Sequence, residues 1–275
     1  MSKKQDKAPN RGNLLFKNLF GKCQRDTSFE RIADGLDASR RNAERLLSDV
    51  RFLVEAGRLS SARFLLTTSQ EELAKSYILV DMCRLDLEKH ESVLRRLCCA
   101  FYDHISKHAY LKILDFPNIN SMDDAKAIWE IEVQRWQPGD YESGEPDMPH
   151  HTYFDREFPL YIDYSDYDGC WLVPTDTDQN AYLMGMLWTE ETPITKTEKF
   201  IELWKKADSI GICSPVALQT LNDVFKKHYI QGGTTREHLE HLYDKVAKGI
   251  KGKADISLES FMASPLAQWP LYHLV

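Results

Sequence analysis

Three stretches in the first 115 residues repeat apolar side chains every three or four positions, and this repeat constrains the fold most. The first follows Thr27 and Glu30, spaced as a capping box, and carries Phe29, Ile32, Leu36, Ala43, Leu46, Leu47, Val50, Leu53 and Val54. Gly57 ends it, as a glycine past a helix C-terminus does. The second is predicted over about residues 59–87, with Ala62, Leu65, Leu66, Leu73, Tyr77 and Val80 on one face. Ser69 and Glu72 could start a new helix there, but with no Gly or Pro in the run a continuous helix is predicted. The third covers about 92–114 with Leu94, Leu97, Cys98, Phe101, Ile105 and Leu111, and Pro117 lies beyond it.

The remainder divides by composition. Residues 115–191 hold 18 acidic and three basic side chains, Lys126, Arg135 and Arg156, while the rest of the chain is net basic. A phosphate-binding surface is therefore expected away from the middle third, which reads as a solvated insert. That insert opens with a short helix capped by Ser121 and Asp124 and ending near Trp136, followed by a polar loop over 137–151. Two apolar-aromatic runs, 160–164 and 170–173, flank a five-residue loop and predict a β-hairpin. Helices return in the last third, where Thr195 with Glu198 and Thr234 with Glu237 are spaced as capping boxes and Ser214-Pro215 marks a helix start. Four parts are expected: a basic mobile tail (1–28), a helical core (29–115), the acidic segment with helix and hairpin (116–193), and C-terminal helices packing on the core (194–275).

Composition excludes several classes. At 43% hydrophobic and 28% charged, the chain is too apolar for disorder throughout and too polar for a membrane protein. Its six cysteines form no C-x-x-C pair and no zinc spacing, and no export signal precedes them, so reduced thiols in the cytoplasm are expected. Asp176, Asp178 and Asn180 begin like a calcium loop, but Ala181 stands where glycine is needed and Leu187 where the bidentate glutamate belongs. His150 and His151 in a polar loop read as loop residues rather than ligands. No cofactor is expected.

Arg41-Asn-Ala-Glu-Arg-Leu-Leu47, Ala56-Gly-Arg58, Ser61-Ala62 and Ser69-Gln-Glu-Glu-Leu-Ala-Lys75 resemble the helical core of the AbiV family, abortive-infection proteins of the HEPN superfamily. Asp103-His104-Ile-Ser-Lys107-His108 resembles the family's H-x-x-K helix, and Leu160-Tyr-Ile-Asp-Tyr164 with Trp171 and Pro174 its aromatic hairpin. The resemblance covers about 30–115 and 156–190. It implies a mainly α fold, a HEPN-like helical bundle with a small inserted β-hairpin. It also implies phage defence by growth or translation arrest, a homodimer, and RNA as the target. Many HEPN proteins are metal-independent ribonucleases whose Arg and His lie four to six residues apart.

Arg84 with His90 and Arg236 with His241 satisfy that spacing, but about 1.5 such matches arise by chance among these arginines and histidines, so neither identifies a site. Arg96 and His104 are better placed, yet seven residues separate them. Helical projection favours another set. Glu72 falls at the edge of the apolar face of the second helix, with Glu71 further toward solvent as an ordinary i,i+4 partner of Lys75. His104 and His108 fall on the apolar side of the third helix, flanked by Lys107. Packing these faces predicts Glu72 beside His104 or His108 as acid–base groups, with Lys107 stabilising phosphorane charge and Lys75 and Arg96 holding phosphate. Two alternatives stay open: a carboxylate–imidazole pair that only fixes helix register, and a non-catalytic sensor whose Tyr161, Tyr164 and Trp171 recognise a phage protein.

Overall fold

The computed structural model describes residues 10–21, 27–115, 121–134, 136–137, 148–149, 156, 159–165, 170–174, 192–227, 240–241, 243–245, 257, 259, 261 and 270–275. Its centre is a helical hairpin. Helix α2 (Ser28–Glu55) turns through three residues into α3 (Leu59–Cys83), and the two pack along most of their length. Gly57 adopts φ 69°, Arg58 N–H bonds to Leu53 O at 2.8 Å and Gly57 N–H to Val54 O at 3.0 Å, closing α2 with a Schellman turn. Ser69 ties the pair by donating to Ala43 O at 2.8 Å.

Around α3 pack α4 (Glu91–Ala100), α5 (His104–Asp115), α7 (Pro193–Ser209) and α8 (Pro215–Lys227). Every side chain of α3 from Ser76 to its end is buried, because this helix has neighbours on several sides. The continuity predicted through Thr67, Thr68 and Ser69 holds. The single helix expected over 92–114 does not: Asp103 Oδ2 accepts from Ser106 N at 2.8 Å and from its hydroxyl at 2.7 Å, an N-cap that starts α5 at His104. Helix α6 (Met122–Glu132) packs on α5, with the expected Ser121–Asp124 capping box present. It ends four residues short of the reach expected for it. Helix α7 begins earlier than Thr195: Thr192 caps it and Pro193 takes the first position. Ser214 caps α8 as expected, accepting from Ala217 N at 3.3 Å.

The basic N-terminal segment is corrected by the structure. Residues 11–20, expected in a mobile tail, form helix α1 (Arg11–Phe20), which buries Phe16, Leu19 and Phe20 against the bundle. Its approach to α4 needs a glycine: a Cβ on Gly12 would stand 2.7 Å from Cys99 Sγ and 2.8 Å from Cys99 Cα. Arg95 lies 4.0 Å from the Phe16 ring centroid and closes the same contact. In the acidic segment, β1 (Trp136–Gln137) pairs antiparallel with β2 (Met148–Pro149), and β3 (Asp163–Ser165) with β4 (Cys170–Leu172), Tyr164 opposite Trp171. The protein is mainly α-helical.

At the C-terminal end of α3 a buried polar group replaces apolar packing. Asp81 accepts from Arg84 at 2.6 Å, from the Tyr110 hydroxyl at 2.9 Å and from Leu271 N at 2.9 Å. The chain terminus, a 3₁₀ turn over Leu271–His273, is thereby latched to the core, while Asn222 of α8 donates to Cys83 O and Leu85 O. Asp81→Ala removes the buried counter-charge of Arg84 and the acceptor of the Tyr110 hydroxyl and Leu271 N, so a loss of about 3–5 kcal/mol in urea unfolding is expected. Asp81→Asn, which keeps the shape and one of the two acceptor oxygens, is expected to lose less.

Candidate functional site

Helix α5 begins where the N-cap at Asp103 sets it, and its first two turns aim His104, Lys107 and His108 at neighbouring helices. The acid they meet is Glu71 of α3. Its Oε1 and Oε2 each lie 2.8 Å from His104 Nδ1, and Oε2 accepts from Lys107 Nζ at 2.7 Å. Lys107 Nζ is also 3.4 Å from His104 Nδ1. Arg156, from the acidic insert, completes the group: its guanidinium contacts both ring nitrogens of His104 and lies 3.8 Å from Glu71 Oε1. The burial is graded. The side chains of Glu71 and Lys107 are 8% and 4% exposed, those of His104 and Arg156 33% and 29%, so the ion pair forms a floor under an open rim.

Burial alone would raise the Glu71 carboxyl, but the His104 hydrogen bond and the charge and hydrogen bond of Lys107 outweigh it and hold it below the ordinary value of 4.5. Burial lowers the Lys107 ammonium below its ordinary value, opposed by the charge of Glu71. An ionised Glu71 requires Nδ1 of His104 to carry its proton, which leaves Nε2 of a neutral ring as an acceptor facing the rim.

Glu72, expected beside the imidazoles, is instead paired with Lys75 of its own helix at 2.6 Å, and Lys75 also lies 5.3 Å from the centre of the Phe101 ring. The correction exchanges the two glutamates: Glu71, expected toward solvent as a partner of Lys75, occupies the buried position. The apolar face read from the sequence is the side of α3 that meets α2, whereas α5 packs on another side. Its signal was the continuous apolar run after Ser76, which marks a helix buried all round. Lys107, expected to stabilise phosphorane charge, lies instead in the buried floor, paired with Glu71. His108 points to a different acid, Glu132 of α6, with Nε2 to Oε2 at 3.5 Å. Arg96 is exposed on α4, and among the described residues no contact joins it to this group. Arg156 was not singled out; as one of three cations among 18 acidic residues, it was nevertheless conspicuous.

The spaced Arg84 and His90 do not make a site. Arg84 is buried against Asp81 and Phe225, and His90 Nδ1 accepts from Asp86 N at 3.1 Å. Arg236, His150, His151 and the Asp176 fragment lie outside the described residues. Among the described residues no group of three or more His, Cys, Asp or Glu side chains could hold a metal ion, and no helix is long and apolar enough to cross a membrane.

The arrangement suits proton transfer beside an anion: a half-open imidazole held by a buried carboxylate, with a guanidinium at its outer edge. Glu71→Gln removes one partner of the buried pair and is expected to cost about 3–5 kcal/mol at pH 7. Because the folded carboxyl titrates below the unfolded one, its stabilisation is complete above the unfolded value and fades as pH falls through the folded one. The gap between wild type and variant in urea unfolding is therefore expected to shrink as pH is taken below about 4.5. Glu72→Gln, which loses a partly buried pair within one helix and strands no fully buried cation, is expected to cost less than Glu71→Gln.

The family model HEPN_AbiV, described as AbiV, matches residues 31–192, more than half of the chain and the segment that holds Glu71, His104, Lys107 and Arg156. No curated protein and no solved structure matches.

Proposed function

The chain belongs to the AbiV family of HEPN proteins, and from that premise we propose that it defends a cell against phage by abortive infection, cutting RNA at the Glu71–His104 group so that growth or translation stops. The observation that carries this reading is the graded burial of that group: a sealed carboxylate orients an imidazole whose other nitrogen reaches the rim beside Arg156. In the proposed step, His104 Nε2 takes the proton of a ribose 2′-OH, whose oxygen attacks the adjacent phosphorus. The bond to the 5′-oxygen breaks, and that oxygen leaves with a proton supplied by His108 as its imidazolium. The products are a 2′,3′-cyclic phosphate and a 5′-hydroxyl end, with no metal in the step.

Arg156 neutralises the extra charge of the phosphorane. In the present arrangement it donates to His104, so a phosphate that draws the guanidinium onto itself also uncovers Nε2. Glu71 and Lys107 are positioning residues: they hold the ring and balance the buried charge. A homodimer and a phage protein as trigger belong to the same proposal.

A second reading, a sensor that binds a phage protein without chemistry, is favoured by one observation. Tyr161, Ile162, Trp171 and Val173, all on or beside the β3–β4 pair, are more than half exposed.

Expression of wild type, His104→Ala and Arg156→Ala separates the two. Equal melting curves establish that the variants fold, and growth and RNA integrity are followed with and without infecting phage. The catalytic reading expects RNA fragments with cyclic phosphate ends in wild type, and cleavage about 10²–10⁴-fold slower in His104→Ala. Protection that survives both substitutions, with RNA intact throughout, establishes the sensor instead.

A further inference from the structure

One helical turn along α5 from His104, the seam between α3, α5 and α7 opens into a cleft of about 110 Å³. Its size decides what kind of ligand it takes. Sites for complete small molecules run to ~300–1,000 Å³, so this cleft accommodates one moiety of a longer ligand. Its floor is apolar, made by Leu73, Leu111 and Phe200, which suits a flat ring. At its mouth stand two lysines. Lys112 is exposed, and Lys196 is half-exposed and paired with Asp115 at 2.8 Å, an arrangement an incoming phosphate displaces readily.

One polar group on the wall is fixed. Gln70 Nε2 donates to Thr197 Oγ1 at 3.1 Å, and the buried Thr197 hydroxyl donates in turn to Pro193 O at 2.7 Å. The amide is thereby oriented with its oxygen available to accept an N–H. Gln70 and Glu71 are neighbours on α3, as Lys107 and His108 are on α5, and His108 itself lines the cleft, so cleft and polar group are adjoining parts of one seam.

We propose that this cleft seats one base of a single-stranded RNA, its ring on Phe200 and its flanking phosphates on Lys112 and Lys196, leading the strand past His108 toward His104. The proposal rests on RNA being the ligand of the neighbouring group, and it assigns binding where that reading assigns chemistry.

The test uses the full chain and a short fluorescent oligoribonucleotide carrying 2′-O-methyl groups, which lacks the attacking hydroxyl and so reports binding alone. Fluorescence anisotropy over a range of salt is expected to show saturable binding by wild type. Lys112→Gln/Lys196→Gln is expected to weaken it at least tenfold and to flatten the slope of log affinity against log salt by about 1.4. Phe200→Leu is expected to weaken it about tenfold with the slope unchanged, as loss of a base–aromatic contact does. Lys205→Gln, a surface change elsewhere on α7, is expected to bind as wild type does. No binding by wild type, or equal binding by the double lysine variant, overturns the proposal. The lysine variant alters only surface side chains, so the test stands even if Phe200→Leu fails to fold. Cleavage of unmodified RNA with affinity unchanged across the variants removes the cleft and leaves the catalytic reading, whereas lysine-dependent binding without cleavage does the reverse.

Discussion

A carboxylate sealed between helices must either lose its charge or be met by cations, and Glu71 is met. Its position on the most enclosed helix of the bundle obliges α5 to present His104 and Lys107 in its first turn, at 2.7–2.8 Å. The cap at Asp103 makes this possible, because it starts a new helix at the histidine itself. Had α4 run on unbroken, the same residues would follow the direction of α4. The insert joins the same point through Arg156, so three parts of the chain far apart in sequence converge on one buried charge.

A second buried acid repeats the device near the C-terminal end of the same helix. Asp81, ten residues along α3, takes Tyr110 of α5, Arg84 and the backbone of Leu271. Two carboxylates on α3 therefore fix the register of α5 at two points, and no one-residue slide satisfies both. Their surroundings separate their roles. The Asp81 group is enclosed, with Arg84 and Tyr110 both in the core, whereas the Glu71 group keeps an imidazole and a guanidinium at the surface. Only the second can meet a ligand without unfolding.

The helical character and the α2–α3 hairpin were legible in the sequence because a glycine and an uninterrupted period mark them. His104 and Lys107 were legible through their resemblance to the H-x-x-K helix. The partner acid was misassigned by one residue, and the cause is physical: projection finds one apolar face, and a helix with several neighbours has more than one. Helix α1 was hidden because its apolar stretch, Leu14 to Phe20, is short and interrupted by Lys17 and Asn18, and its close approach through Gly12 to Cys99 leaves no mark in the sequence period. Arg156 could not be placed, because nothing local relates an insert residue to a helix 52 positions away.

The account turns on Glu71 remaining ionised and holding the proton of His104 on Nδ1. Nitrogen-15 spectra of histidine-labelled protein read this directly on the neutral ring. Wild type should show His104 as the Nδ1–H tautomer, and Glu71→Gln should release it toward the Nε2–H form that free imidazoles favour. A wild-type His104 already in the Nε2–H form, or one indifferent to the substitution, would contradict the arrangement on which the proposed chemistry depends.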